Sequence, residues 1–133
     1  MILFESGNLK YAKNHFPGRP GQGTRNMQMF EFNVEYAKSI PAIASQLDGL
    51  IGTGGTPTDA QKDGLVAKLN ENREISIGSG PWFMATKCGE ALKMFAAGSV
   101  EPAFEAYMAC VGVGADGARR EYWTRAKEAF GVS

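Results

Sequence analysis

From residue 27 onward, apolar residues recur mostly at helical spacing. Met27, Phe30, Val34, Ala37 and Ile40 share one helical face, Pro41 breaks it, and PAIASQLDGLI predicts a second, short helix. Gly52-Thr-Gly-Gly-Thr-Pro57 is turn chemistry. Thr58 is placed to cap a helix over DAQKDGLVAKLNEN, with Asp59 in its first turn and Leu65, Val66 and Leu69 on its inner face. Ser79-Gly-Pro81 opens the strongest predicted helix, whose stripe of Trp82, Ala85, Cys88, Leu92 and Phe95 runs to a stop at Gly98. Ser99 and Pro102 start another, which carries Phe104, Tyr107, Met108 and Val111 inward until Gly112 and Gly114, and a last helix runs from about Asp116 to Phe130. Alternation with period two is confined to Glu74-Ile-Ser-Ile77, enough for at most one small β-hairpin. The pattern predicts a mainly α fold without internal repeats.

Residues 7–26 break this pattern. GNLKYAKNHFPGRPGQGTRN contains four Gly and two Pro and predicts an irregular loop, long for a compact domain. Its cations Lys10, Lys13, Arg19 and Arg25 make it a candidate binding wall, with a solvated surface loop as the plainer alternative. His15, beside Phe16-Pro17, reads as a loop anchor.

Composition narrows the function classes. The chain has 133 residues, 44% hydrophobic and 21% charged, which supplies one core and leaves no room for a second full domain. Fourteen Lys plus Arg against fourteen Asp plus Glu give formal net charge +0, so no global field favours nucleic acid or an anionic membrane as partner. No apolar run approaches the roughly 20 residues of a membrane span, and the N-terminus is too short and wrongly flanked for a signal peptide. Cys88 and Cys110 are either a disulfide or two reduced core thiols. Neither has a His or Cys partner at metal spacing, so no metal is expected, and no Gly-rich loop joins a strand to a helix to hold a cofactor.

Glu5 is the first candidate for chemistry. It follows Ile2-Leu3-Phe4 and precedes Ser6-Gly7, at the junction of an apolar helix end and a loop. Apolar burial raises a carboxyl pKa, and an acid still protonated near neutral pH can protonate the leaving oxygen of a glycosidic bond. Four short motifs then occur in order: Glu5-Ser6, Asn26-Met27-Gln28, Ala106-Tyr107-Met108-Ala109-Cys110-Val111-Gly112 and Arg120-Glu121-Tyr122-Trp123-Thr124-Arg125. This set resembles that of lytic transglycosylases and goose-type lysozymes, in which the catalytic Glu-Ser precedes Gly-Leu-Met-Gln, then Ala-Tyr-Asn-Ala-Gly, then an Arg-x-Tyr helix. The loop text NHFPGRPGQGTRNMQ also resembles secreted fungal proteins of lysozyme-like type.

The resemblance implies a single lysozyme-like α domain over residues 1–133, without its N-terminal helix, since only four residues precede Glu5. It implies a monomeric, extracellular muramidase or lytic transglycosylase that cleaves β-1,4 bonds of peptidoglycan, with chitin-type oligosaccharides as a second substrate. Glu5 is then the general acid and Glu31 the candidate second carboxylate. Met27 and Gln28 line the cleft, Ser6 bonds the substrate or Glu5, and Tyr107 and Tyr122 stand near the acid. Met108 and Cys110 stand where the family has Asn and Gly. A Cys88–Cys110 bridge would staple the helix behind the cleft to the helix carrying Tyr107, with two reduced thiols as the alternative. Trp82 and Trp123 are open between core and sugar stacking, and Phe83 is expected in the core. The second functional reading is a non-catalytic helical module that binds cell-wall glycan or a partner protein.

Overall fold

The computed structural model describes residues 1–15 and 18–132, so Phe16 and Pro17, beside the expected anchor His15, lie outside the described residues. As expected, the fold is mainly helical. Its elements are α1 (Ile2–Glu5), α2 (Phe30–Lys38), α3 (Pro41–Ala44), α4 (Leu47–Ile51), α5 (Asp59–Asn70), α6 (Arg73–Lys87), α7 (Gly89–Ala96), α8 (Val100–Cys110) and α9 (Gly117–Phe130). The chain divides into two compact units, residues 2–80 and 81–132, and the division falls inside α6 at Pro81.

In the first unit α5 is the central element. Thr58 caps it as the sequence predicts: its hydroxyl accepts from Gln61 N–H, and the Gln61 side chain accepts from Thr58 N–H. This reciprocal pairing satisfies two backbone donors at once. Leu65, Val66 and Leu69 are wholly buried, in a core that also includes Tyr36 and Ala37 of α2, Ile43 of α3 and Leu47 of α4. Pro41 ends α2 as expected by imposing extended backbone on Ile40 and opening α3.

The long segment between α1 and α2 is irregular, yet it is part of the core. Ser6, Thr24, Asn26 and Gln28 are buried there, with Asn33, Ser76 and Ser79 on the adjoining helices. Isolated bridges pair Lys13 with Gly23 and Gly23 with Gln28. Gly23 has no side chain because none would fit, since a Cβ would lie 2.3 Å from Val66 Cγ1 and 3.0 Å from the Ala12 carbonyl oxygen. The missing side chain lets the loop lie directly on α5. Asn70 Nδ2 donates to Ala12 O, Thr24 Oγ1 lies 2.8 Å from Ser79 Oγ, and Asn33 Nδ2 donates to Gly21 O and Gln28 O. These side chains supply the pairing that a segment without regular structure must find when buried.

Several expectations change: PAIASQLDGLI forms two short helices, α3 and α4, rather than one, and the helix expected to open at Ser79-Gly-Pro81 starts at Arg73 and holds Pro81 in its interior. The helix expected from Met27 starts at Phe30, because Met27 holds φ +50° as part of the turn. Glu74–Ile77 is helical rather than extended, and the side-chain oxygen of Asn72 accepts from Glu74 N–H and Ile75 N–H, capping α6. The long helix expected from Pro81 to Phe95 is two helices, interrupted at Cys88 (φ −121°, ψ 42°). Beyond the interruption the angular register is reset, so Ala91 is buried while Leu92 of the expected stripe is exposed; before it, Phe83 is buried and Ala85 exposed.

In the second unit α7 and α8 form an αα-hairpin turned at Gly98 (φ +79°). Phe104, Tyr107 and Met108 of α8 are buried with Ala91 of α7. Cys88 and Cys110 are joined across the open end of this hairpin as a disulfide, with Cα atoms 5.9 Å apart. In α9, Asp116 accepts from Arg119 N–H at the N-cap, and Trp123 stacks on Phe104 with ring centroids 5.0 Å apart. Trp123 also meets Phe95 edge-on and donates Nε1–H to Glu101.

Candidate functional site

The first unit carries a groove of about 420 Å³ lined by Glu5, Tyr11, Lys13, Asn14, His15, Gln22 and Met27. Glu5 closes α1, and the rest come from the irregular segment. Three hydrogen bonds set the geometry of its wall. Asn14 Nδ2 donates to Gln22 Oε1 at 2.7 Å, Gln22 Nε2 donates to Met27 O at 3.0 Å, and Asn14 N–H donates to Gln22 O. The lining thus combines a carboxyl, a phenol, an ammonium, an imidazole, two amides and a thioether, with Tyr11 and Met27 supplying apolar surface.

The segment bearing these groups is tethered to α5 through Asp63. Lys13 Nζ donates to Asp63 Oδ2 at 2.7 Å, and Gly21 N–H donates to Asp63 Oδ1 at 3.0 Å. The Lys13 hydrogen bond, the Gly21 N–H and the Lys13 charge together hold the Asp63 carboxyl below its ordinary value, against a smaller opposing effect of desolvation. The cation expected at Lys13 for ligand binding is therefore committed to this ion pair.

A carboxyl whose pKa is depressed on folding stabilises the folded chain above the unfolded pKa of about 3.9, and that stabilisation is lost as pH falls through the lower folded value. The Gly21 amide resonance should therefore titrate with a midpoint below about 3.9 in the native chain and should be flat over that range in Asp63→Asn. Titration of Gly21 in Asp63→Asn would show that another group controls the tether.

The residues singled out from sequence are placed as follows. Glu5, at the end of α1, and Met27 line the groove. Ser6 is fully buried, donates its hydroxyl to Ile2 O and accepts from Leu9 N–H, so it closes the turn after α1. Gln28 is 5% exposed, and its Oε1 accepts from Asn26 Nδ2, a buried pairing behind the loop. Glu31 is exposed on α2. Tyr107 is buried in α8, and Tyr122 lies on α9 with the Arg125 guanidinium 5.8 Å from its ring centroid, both in the second unit. Phe83 is buried as expected, and Trp123 is engaged with Phe104 and Phe95. The sequence pattern does not single out Tyr11, Asn14 and Gln22. Each lies where there is no periodicity to assign a face, and the bridges Lys13–Gly23 and Gly23–Gln28, with hydrogen bonds such as Asn14 to Gln22 and Asn70 to Ala12, bring them to one wall. Among the described residues no group of three His, Cys, Asp or Glu side chains converges as a metal site, and no helix is long and apolar enough to cross a membrane.

No known family profile matches the chain, and no solved structure does either. A bifunctional dioxygenase-epoxy alcohol synthase of Fusarium oxysporum is 41% identical over 133 residues, which cover 99% of this chain and 10% of that protein. The chain thus spans about a tenth of the length of the curated relative it matches.

This finding overturns the lysozyme-like assignment, the peptidoglycan-cleaving activity with its hydrolase class, and the glycan- or partner-binding alternative. The four motifs have local structural reasons to exist. Glu5-Ser6 ends a helix and closes a turn, and Asn26–Gln28 forms part of a buried backbone bridge. Ala106–Gly112 is the end of an amphipathic helix fixed by a disulfide, and Arg120–Arg125 is a helical turn bearing an aromatic anchor and ion pairs. Such patterns recur wherever helices pack, whereas the match to the Fusarium protein covers 99% of this chain, from one end to the other.

Proposed function

We infer that the chain works as one segment of an oxygen-inserting enzyme of the dioxygenase-epoxy alcohol synthase kind. The observation that carries this reading is the 41% identity over 99% of the chain to a bifunctional enzyme of that description. The product class defines the chemistry. An epoxy alcohol formed from dioxygen keeps both oxygen atoms, one bridging two carbons that were doubly bonded and one as a hydroxyl, so the substrate is an unsaturated molecule. Oxygen chemistry of this kind is carried by redox cofactors. Among the described residues no three His, Cys, Asp or Glu side chains converge to hold a metal ion. This chain's own share is the groove of the first unit. Tyr11 and Met27 offer surface to a carbon skeleton, while Asn14, His15 and Gln22 offer polar partners to its oxygenated end. The Cys88–Cys110 bridge supports residence in an oxidising compartment, in line with an extracellular location.

The test uses the complete gene product that contains these residues. It is incubated under isotopically labelled dioxygen with a panel of unsaturated carboxylic acids, alcohols and esters, and the products are resolved by mass spectrometry. The expected product is heavier than its substrate by one dioxygen with both atoms labelled, and loses one of them as water on fragmentation. Folded protein that consumes no oxygen and forms no labelled product with any member of the panel would overturn the reading.

A further inference from the structure

The two sulfurs of the disulfide are unequal. Cys88 is 4% exposed and sits at the N-cap of α7, whereas Cys110 ends α8 on the exposed surface, its Sγ 3.5 Å from the Lys87 carbonyl oxygen. Thiol–disulfide exchange requires a thiolate to approach a sulfur along the S–S axis, and it proceeds faster when the departing sulfur is the better-stabilised thiolate. Access favours attack at Cys110. Departure favours Cys88, because a thiolate released at the N-cap of α7 lies at the positive end of the helix dipole, whereas Cys110 lies at the negative end of α8. Access and departure thus select the same polarity.

We propose that Cys110 is a thiol-modification site: an external low-molecular-weight thiol forms a mixed disulfide at Cys110 and releases Cys88 as the thiolate. The incoming thiolate bonds to Cys110 Sγ, the Cys88–Cys110 bond breaks, and its electron pair stays on Cys88. With a dithiol reductant, the second thiol then attacks its own sulfur in the mixed disulfide and frees Cys110, so two electrons pass from the dithiol to the protein. The site controls the open end of the α7–α8 hairpin, whose other end is closed covalently by the turn at Gly98.

The test exposes the folded chain briefly to glutathione, stops the exchange with a maleimide in large molar excess over all thiols, and locates both groups by peptide mapping after acidification. The expected result is glutathione on Cys110 and maleimide on Cys88, in at least tenfold excess over the reverse pattern. Equal labelling, the reverse pattern, or reaction only after addition of denaturant would overturn the proposal. A second measurement compares single variants shown by circular dichroism to remain helical. Cys110 in Cys88→Ser should react with an aromatic disulfide reagent at least ten times faster than Cys88 in Cys110→Ser, and equal rates would likewise overturn it.

Discussion

Replacement of both cysteines, Cys88→Ser with Cys110→Ser, should lower the stability of the second unit by about 3 kcal/mol. The bridge spans 22 residues, and in the chain-entropy description a loop of that length withholds about this much freedom from the unfolded chain. The effect is large because this unit has a small core, with Phe83, Ala91, Ala103, Phe104, Tyr107 and Met108 providing most of its buried apolar surface. No described residue of α9 is buried, and that helix is held through Trp123 and through exposed ion pairs of Glu101 with Lys127 and of Glu105 with Arg120. Exposed pairs contribute little each. Urea denaturation followed by the near-ultraviolet signal of Trp82 and Trp123, both in the second unit, measures the change. A loss below about 1 kcal/mol would mean that the unfolded chain is already constrained there or that the bridge strains the folded unit.

Leu69→Ala should cost about 3 kcal/mol, within the range for deleting a fully buried leucine side chain. Leu69 lies on the inner face of α5, against which the irregular segment rests, so the cavity is flanked by elements that cannot readily collapse into it. Leu92→Ala is the control. Leu92 is 41% exposed on α7 and should cost no more than about 0.5 kcal/mol. Chemical denaturation of both variants separates a specific core from general loss of apolar surface, and similar losses would contradict the burial pattern.

The comparison of Leu69 with Leu92 also marks what can be read from the sequence. On α5 a clear cap at Thr58 and an uninterrupted helix make the inner face legible, and Leu65, Val66 and Leu69 are buried as expected. Leu92 falls on an inner face only if the stripe continues unbroken through Cys88. A local backbone distortion at one residue shifts every later side chain around the axis, and composition gives no sign of it. Glu74–Ile77 shows the complementary failure, in which two isoleucines in alternation outweigh the cap offered by Asn72. The groove is the least legible part. Glu5 and Met27 stand out in the sequence, but Tyr11, Asn14 and Gln22 are brought together by buried amide and hydroxyl pairings distant in sequence, such as Asn70 with Ala12. The function assigned from four short motifs fails because each is what a capped, packed helix or a buried turn requires.

The left-handed residues of the irregular segment have a consequence for how this chain can vary. Asn8, Leu9, Thr24 and Met27 hold φ between +50° and +67°, a region in which side chains with a Cβ are disfavoured and β-branched ones most of all. In a saturation library selected for folding, glycine and asparagine should therefore be enriched at positions 8, 9 and 27, where relief of backbone strain outweighs the packing that a larger side chain provides. Thr24 should resist the same replacement. Its hydroxyl bonds Gly23 O, faces Ser79 Oγ and accepts from Asn26 N–H, all without solvent. A glycine there would relax the backbone and leave buried partners unpaired. The residue with the least favourable backbone is thus the one least free to drift, and selection at position 24 follows hydrogen bonding rather than conformational preference.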